Sequence, residues 1–176
     1  MMHEMEVAGM GIDSESQAPV LLLRQINGGE PVPIVIGLFE AASIVMALKD
    51  DVPERPMTHD LFCNFIGDVG MYIDKITIYD FKNGVYYSNI CYKSRKDPDF
   101  TFQTDSRPSD AVALALRFKA PIFMDEKVIK AAGESFSVES GEDFEPADPV
   151  DKSEEGKKWA EYLKNLSDDE FGKYKV

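Results

Sequence analysis

Two short stretches of the chain collect residue types that could handle a phosphate. One is Arg55-Pro56-Met57-Thr58-His59-Asp60, the other Arg107-Pro108-Ser109-Asp110. Each places Arg-Pro ahead of a hydroxyl residue and an aspartate, then runs into an apolar segment. Helix grammar accounts for much of this. Pro suits a first helical turn, Ser or Thr caps a helix, and Asp near the N-terminus answers the dipole. On that account Thr58 and Ser109 are punctuation. It leaves Arg55, Arg107 and His59 unexplained, because a cation just outside a helix N-terminus gains nothing from the dipole. An arginine beside a helix N-terminus is instead suited to holding an anion such as a phosphate. His59 is of the residue type that serves as a general base near neutral pH, although a lone histidine is more often structural. Asp60, Asp105 and Asp110 are hard oxygen ligands of the type Mg²⁺ or Mn²⁺ prefers. Phosphodiester cleavage uses such parts: a metal to activate water, and cations on the phosphate.

The surrounding pattern must position these residues. "MEVAGMGID", "PVLLLRQI" and "VPIVIG" read as strands. "GLFEAASIVMALK" changes to helical spacing, with Phe39, Ala42, Ile44, Val45 and Leu48 on one side and Glu40 in its first turn. A second helix is expected from an N-cap at Thr58 to a C-terminal Gly70. "YIDKITIYD" and "GVYYSNICYK" flank an Asn-Gly hairpin turn, and "DFTFQTD" is a further strand. "SRPSDAVALALRFK" is a helix apolar on nearly every side, hence buried; "PIFMD" and "EKVIKAA" add a short strand and a short helix. The class is α+β, a mainly antiparallel or mixed sheet with three core helices, followed by an acidic C-terminal tail. The expected organisation is a domain over 1–133, an acidic linker over 134–156, and a short helix and tail over 157–176. Trp159, Leu163 and Leu166 carry the helical spacing there.

Charge weighs against one class of partner. The 176 residues have a net charge of −13. Residues 1–138 carry 13 Lys and Arg against 20 Asp and Glu, a net of −7. An acidic surface repels polyanions, so nucleic acid is disfavoured unless a local cationic cluster or a metal holds it. Cys63 and Cys91 lie in apolar contexts without metal-ligand spacing and read as buried free thiols. With no signal-peptide pattern at "MMHEMEVAGMGID" and no apolar run of membrane length, the expectation is a soluble, cytoplasmic protein without a membrane partner. The apolar strands and the Trp159 segment suit a homo-oligomer. No Walker loop, nucleophile elbow or paired-cysteine site is present, and no organic cofactor is indicated.

Four ordered segments resemble the bifunctional nuclease (BFN) domain family: "PVLLLRQINGGEPVPIVIGLFEAASIVMAL", "ERPMTHDLF", "ITIYDFKNGVYYSNI" and "DSRPSDAVALALRFKAPIFM". The resemblance implies a compact α+β domain and nuclease action on RNA and DNA, the activity reported for plant members. The family pattern is met here by Ile36, Gly37, Glu40 and Ala41, by Arg55, Pro56, Thr58, His59 and Asp60, and by Asp105, Arg107, Pro108, Ser109 and Asp110. Many relatives continue into a helical hairpin module; the acidic end here, "DDEFGKYKV", departs from that.

On physical grounds the roles divide as follows. Asp60, Asp110 and Glu40 are the candidate ligands of a divalent cation, Mg²⁺ or Mn²⁺. His59 is the base or a further ligand, and with Asp60 and Asp110 forms the candidate catalytic set. Arg55, Arg107 and Ser109 hold phosphate. Two other readings compete: a non-catalytic module binding an anion, nucleotide or regulatory partner, and a structural role in which the arginines bridge aspartates. A metal nuclease requires Asp60 and Asp110 within one ion's reach. A binding module requires the arginines to face an open cleft. An Arg107 buried and fully paired with Asp60 or Asp105 would decide for the structural role.

Overall fold

In the computed structural model, residues 1–13 and 16–137 are described. Their β-branched and aromatic runs pair into one sheet of seven strands. These are β1 (Met2–Ile12), β2 (Pro19–Gln25), β3 (Val32–Val35), β4 (Met71–Lys82), β5 (Val85–Ser94), β6 (Thr101–Ser106) and β7 (Ile122–Asp125). The helices are α1 (Leu38–Leu48), α2 (Thr58–Asp68), α3 (Pro108–Phe118) and α4 (Glu126–Ser137). The class expected from the pattern is observed: α+β around a mixed sheet. Helix α4 runs through Ser137, past the boundary expected at 133; the remainder of the acidic linker and the Trp159 segment lie outside the described residues.

Strand order is β3-β2-β1-β7-β4-β5-β6. Neighbouring pairs are antiparallel except β4 with β7, which are parallel and in register from Ile76–Ile122 to Ile78–Met124. A parallel pair needs a long crossover, and here β5, β6 and α3 supply it. The crossover lays α3 against β4 and β5, beside α1 and α2. Tyr86 Oη of β5 donates to the Pro33 carbonyl of β3 at 2.8 Å, so strands from opposite ends of the order meet and the sheet is strongly curved.

The Asn-Gly signal is met by the β4–β5 hairpin. Asn83 and Gly84 have φ of 52° and 76°, the doubly positive pair of a type I′ turn, whose twist matches that of the strands it joins. Gly84→Val is therefore expected to cost about 1–3 kcal/mol from backbone strain alone. Urea denaturation checks this; an unchanged midpoint would show that the turn can relax.

The core gathers Leu21 and Leu23, Ile44, Ile76 and Ile78, Val112, Met124 and Val128. Helix α3 is buried from Ala111 through Ala115, as its all-round apolar pattern demands. Its alanines let α1 approach closely, and this corrects the face expected for α1. The residues of α1 that are buried are Ala41, Ser43 and Ile44, while Phe39 is 82% exposed and Leu48 is exposed. Small side chains win the contact because the opposing surface is small too.

The helix starts also differ in detail. Met57 and Arg107 occupy the cap positions, without a capping side chain, and Thr58 and Ser109 fall inside the first turn. Pro108 takes N1, as proline prefers. At α2, Asp60 Oδ2 folds back to accept from the Met57 N–H at 3.0 Å. At its other end α2 closes on Val69, followed by Gly70 at φ 75°, as expected. No helix among the described residues is long and apolar enough to cross a membrane.

Candidate functional site

The starts of α2 and α3 do meet, and α1 joins them. His59, in the first turn of α2, places Nε2 3.2 Å from Asp110 Oδ1 in the first turn of α3. The other ring nitrogen, Nδ1, lies 2.9 Å from Ser43 Oγ on the buried face of α1. With Asp110 ionised, Nε2–H donates to it, and Nδ1 of the neutral ring accepts the Ser43 hydroxyl. Hydroxyl, imidazole and carboxylate thus line up across three helices. Ser43 is too buried to attack a polymer, so it orients the ring and seals Nδ1.

Arg107 closes the outer side. Its Nε donates to Asp110 Oδ2 at 2.7 Å and Nη2 to Asp110 Oδ1 at 3.0 Å, a two-pronged pair. Its Nη1 lies 2.8 Å from Glu40 Oε1. The guanidinium is still 66% exposed, so Arg107 is not buried as it would be if the structural role alone explained it. Glu40 can reach it because Gly37, the cap residue of α1, has no side chain: a Cβ there would overlap Glu40 Oε2. From the strand side, Ser88 Oγ donates to the Ser106 carbonyl at 2.7 Å and fixes the end of β6 from which Arg107 departs.

Asp60 belongs to a separate, deeper pair. Arg117, at the C-terminal end of α3 and 12% exposed, donates from Nε to Asp60 Oδ1 at 2.6 Å. Its Nη1 donates to the carbonyls of Ser43 and Ala113 at 3.2 and 2.9 Å. Ser43 therefore links the two halves, hydroxyl to His59 and carbonyl to Arg117. Arg55 is exposed and forms no ion pair among the described residues, and Asp105 is exposed on β6 outside the network.

Electrostatics follow these contacts. The His59 hydrogen bond, aided by Arg107 and opposed by burial, holds the Asp110 carboxyl down to about 2. For Asp60, burial pulls upward but the Arg117 and Met57 hydrogen bonds prevail, and its pKa is lowered. Arg107 is pushed above its ordinary value by Asp110 and then Glu40. Burial raises the Cys63 thiol to about 11, so it stays protonated at neutral pH and is no nucleophile. Cys63, Arg95 and Arg117 line one cavity of about 530 Å³ behind α2. A second, of about 280 Å³, opens beside Arg107 and Ser109.

The sequence reasoning thus found Glu40, His59, Arg107 and Asp110, which contact one another, and Asp60, which faces Arg117 instead. It missed Ser43 and Arg117. Both carried a signal: each is a lone polar residue in an otherwise apolar helical stretch, and a buried polar group has to be paired.

The model of the bifunctional nuclease domain matches residues 21–137, ending where α4 ends. The chain belongs to the bifunctional nuclease domain family. Two relatives in Mycobacterium tuberculosis, "Uncharacterized protein MT1877" of strain CDC 1551 / Oshkosh and "Uncharacterized protein Rv1829" of strain ATCC 25618 / H37Rv, are each 35% identical over 170 residues. Those alignments cover 97% of this chain and 98% of each relative. In this bifunctional nuclease domain, the Arg-Pro stretches form the contact between α2 and α3.

Proposed function

We propose that the protein binds a phosphodiester of nucleic acid at the start of α3 and cleaves it, with His59 and Asp110 moving the proton and Arg107 holding the phosphate. The observation that carries this reading is the exposed Arg107 guanidinium, held by Asp110 and Glu40 directly beside the His59–Asp110 pair. A phosphate competes with both carboxylates for Arg107, since charge-assisted bonds of the same fork geometry form in each case. As Arg107 turns to the phosphate, Asp110 keeps its bond to His59. Nδ1 is sealed by Ser43, so proton exchange with the substrate is confined to Nε2. With the ring proton on Nδ1, donating to Ser43 Oγ, Nε2 takes a proton from a water whose oxygen bonds to phosphorus. The phosphorus–oxygen bond to the leaving group breaks, and the leaving oxygen is protonated from solvent. Arg55, exposed at the neighbouring helix start, supplies a second cation to the strand.

The divalent cation expected from the sequence does not fit the carboxylates as they stand. Asp60 is committed to Arg117, and Glu40 and Asp110 share Arg107. Among the described residues no group of three His, Cys, Asp or Glu side chains is arranged to hold a metal ion.

A second reading, binding without cleavage, is favoured by one observation: both nitrogens of His59 and both oxygens of Asp110 already have partners. Incubation of the purified protein with single-stranded RNA and DNA, in Mg²⁺, Mn²⁺ or EDTA, separates the two. Cleavage by the wild type is expected, with His59→Ala slower by roughly 10²–10⁴-fold, the usual worth of a general acid–base group. Equal cleavage by wild type and His59→Ala would place the chemistry elsewhere. Binding without cleavage would establish the second reading.

A further inference from the structure

We propose that the cavity beside Arg107 receives the base of an unpaired nucleotide whose phosphate Arg107 holds, so that the ligand is a single strand. This rests on the phosphodiester reading above and specifies its substrate. Ile34 and Ile36 line the cavity from the β3 side, Val85 and Tyr86 from β5, and Arg107 and Ser109 from the start of α3. One wall is apolar, and the other offers a hydroxyl and a guanidinium.

Ser109 is the independent observation. It is only 6% exposed as a residue, it lines the cavity, and its hydroxyl, which makes no hydrogen bond among the described residues, is not sealed off as a buried atom. A hydroxyl left open at a cavity wall can donate to or accept from what binds there. No side chain caps the first turn of α3 either, so its leading N–H groups lack a capping acceptor. Val35 and Val85, both lining the cavity, are half exposed, an apolar rim around a cationic site.

The ligand chemistry follows from that lining. A bare phosphate would satisfy Arg107 and leave the apolar wall wet. A purely apolar ligand would leave Ser109 unpaired. A flat ring with polar edges, tethered to a phosphate, meets both sides. The volume lies at the lower edge of the range of about 300–1,000 Å³ typical of small-molecule pockets, suited to one ring system. A base stacked in a duplex cannot enter unless it is extruded, which costs a few kcal/mol by the rule for flipped bases. The charge argument then turns around. A net charge of −13 works against the extended cationic contact a duplex needs, but one phosphate contact and one base contact need only local chemistry.

The test measures binding of the full chain to short strands by fluorescence anisotropy, with each strand checked on a gel for cleavage after the titration. The probes are a short 2′-O-methyl oligonucleotide, its abasic counterpart of equal length, the same strand in a duplex, and a deoxy strand. The intact single strand is expected to bind about tenfold tighter than the abasic strand, the order expected for one stacked base. Val85→Trp, which fills the mouth from an exposed position on the hairpin, should remove that preference and leave abasic binding unchanged, and Ser109→Ala should weaken the intact strand more than the abasic one. The deoxy strand, if it shows the same preference, assigns the pocket to the base alone; a preference confined to the ribose-type strand adds a sugar contact. Equal affinity for intact and abasic strands would overturn the pocket and leave the phosphodiester reading standing. No binding to any strand would overturn both. A Val85→Trp protein that keeps the full preference would also refute the assignment, with Ser109→Ala as the check should the tryptophan disturb folding.

Discussion

Arg117→Met is expected to destabilise the protein by about 1–3 kcal/mol, because it leaves a partly buried carboxylate without its cation. Arg117 is buried and is the side-chain cation on Asp60, and it also donates to the carbonyls of Ser43 and Ala113. Removing it leaves Asp60 desolvated with only the Met57 N–H as donor. For a domain of this size each kcal/mol lowers the melting temperature by about 2–4 °C, so the shift is readily measured. Arg117→Lys keeps the charge but not the fork that reaches three acceptors, and should recover part of the loss.

The double variant Asp60→Leu/Arg117→Met removes the stranded charge and is expected to be more stable than Arg117→Met alone. If the two variants melt together, the loss comes from packing and backbone contacts rather than from Asp60. The pH dependence has a definite sign. The Asp60 pKa is lowered in the fold, so the pair contributes stability above the ordinary carboxylate range and loses it as pH falls through the folded value. In Arg117→Met burial is opposed only by the Met57 N–H and the neighbouring His59, so the Asp60 pKa rises relative to the wild type and the variant should gain on the wild type as the solution is acidified.

Asp110→Asn should have the largest effect on activity while leaving the fold cooperative. The carboxylate anchors His59 Nε2 and both prongs of Arg107, and its pKa is held down to about 2 from 3.8. That difference corresponds to roughly 2 kcal/mol of folding stability. It is present above about pH 4, the ordinary carboxylate range, and is lost as pH falls toward 2. Asparagine is neutral throughout, so the acid limb of the variant's stability profile should flatten. Cleavage should fall with it, since an amide can neither balance a protonated imidazole nor hold the guanidinium by two charge-assisted bonds. A variant with the wild-type acid limb would show that the Asp110 charge is not what Arg107 and His59 stabilise. Full activity in Asp110→Asn would remove Asp110 from the proposed chemistry.

Local patterns were enough for the elements themselves. Alternating β-branched runs marked the strands, Asn83-Gly84 marked the turn, and Pro108 ahead of an apolar run marked the start of α3, because each signal acts over a few residues. The likeness to the family was readable too, and with it Glu40, His59, Arg107 and Asp110, which the structure brings into contact. What the tertiary structure alone decided was pairing over long separations. β7 inserts between β1 and β4, antiparallel to the first and parallel to the second, although no local pattern in "PIFMD" encodes its neighbours. Asp60 and Asp110 share a residue type and a helix position, and they carry the same local signal. The docking of α3 against α1 and α2 gives one to Arg117 and the other to His59 and Arg107. Ser43 acquires its role only because small residues face one another at the α1–α3 contact and bring its hydroxyl to the ring. Propensity and turn chemistry are properties of neighbours in sequence; the partner of a charge is settled by which surfaces pack, and that depends on the whole core at once.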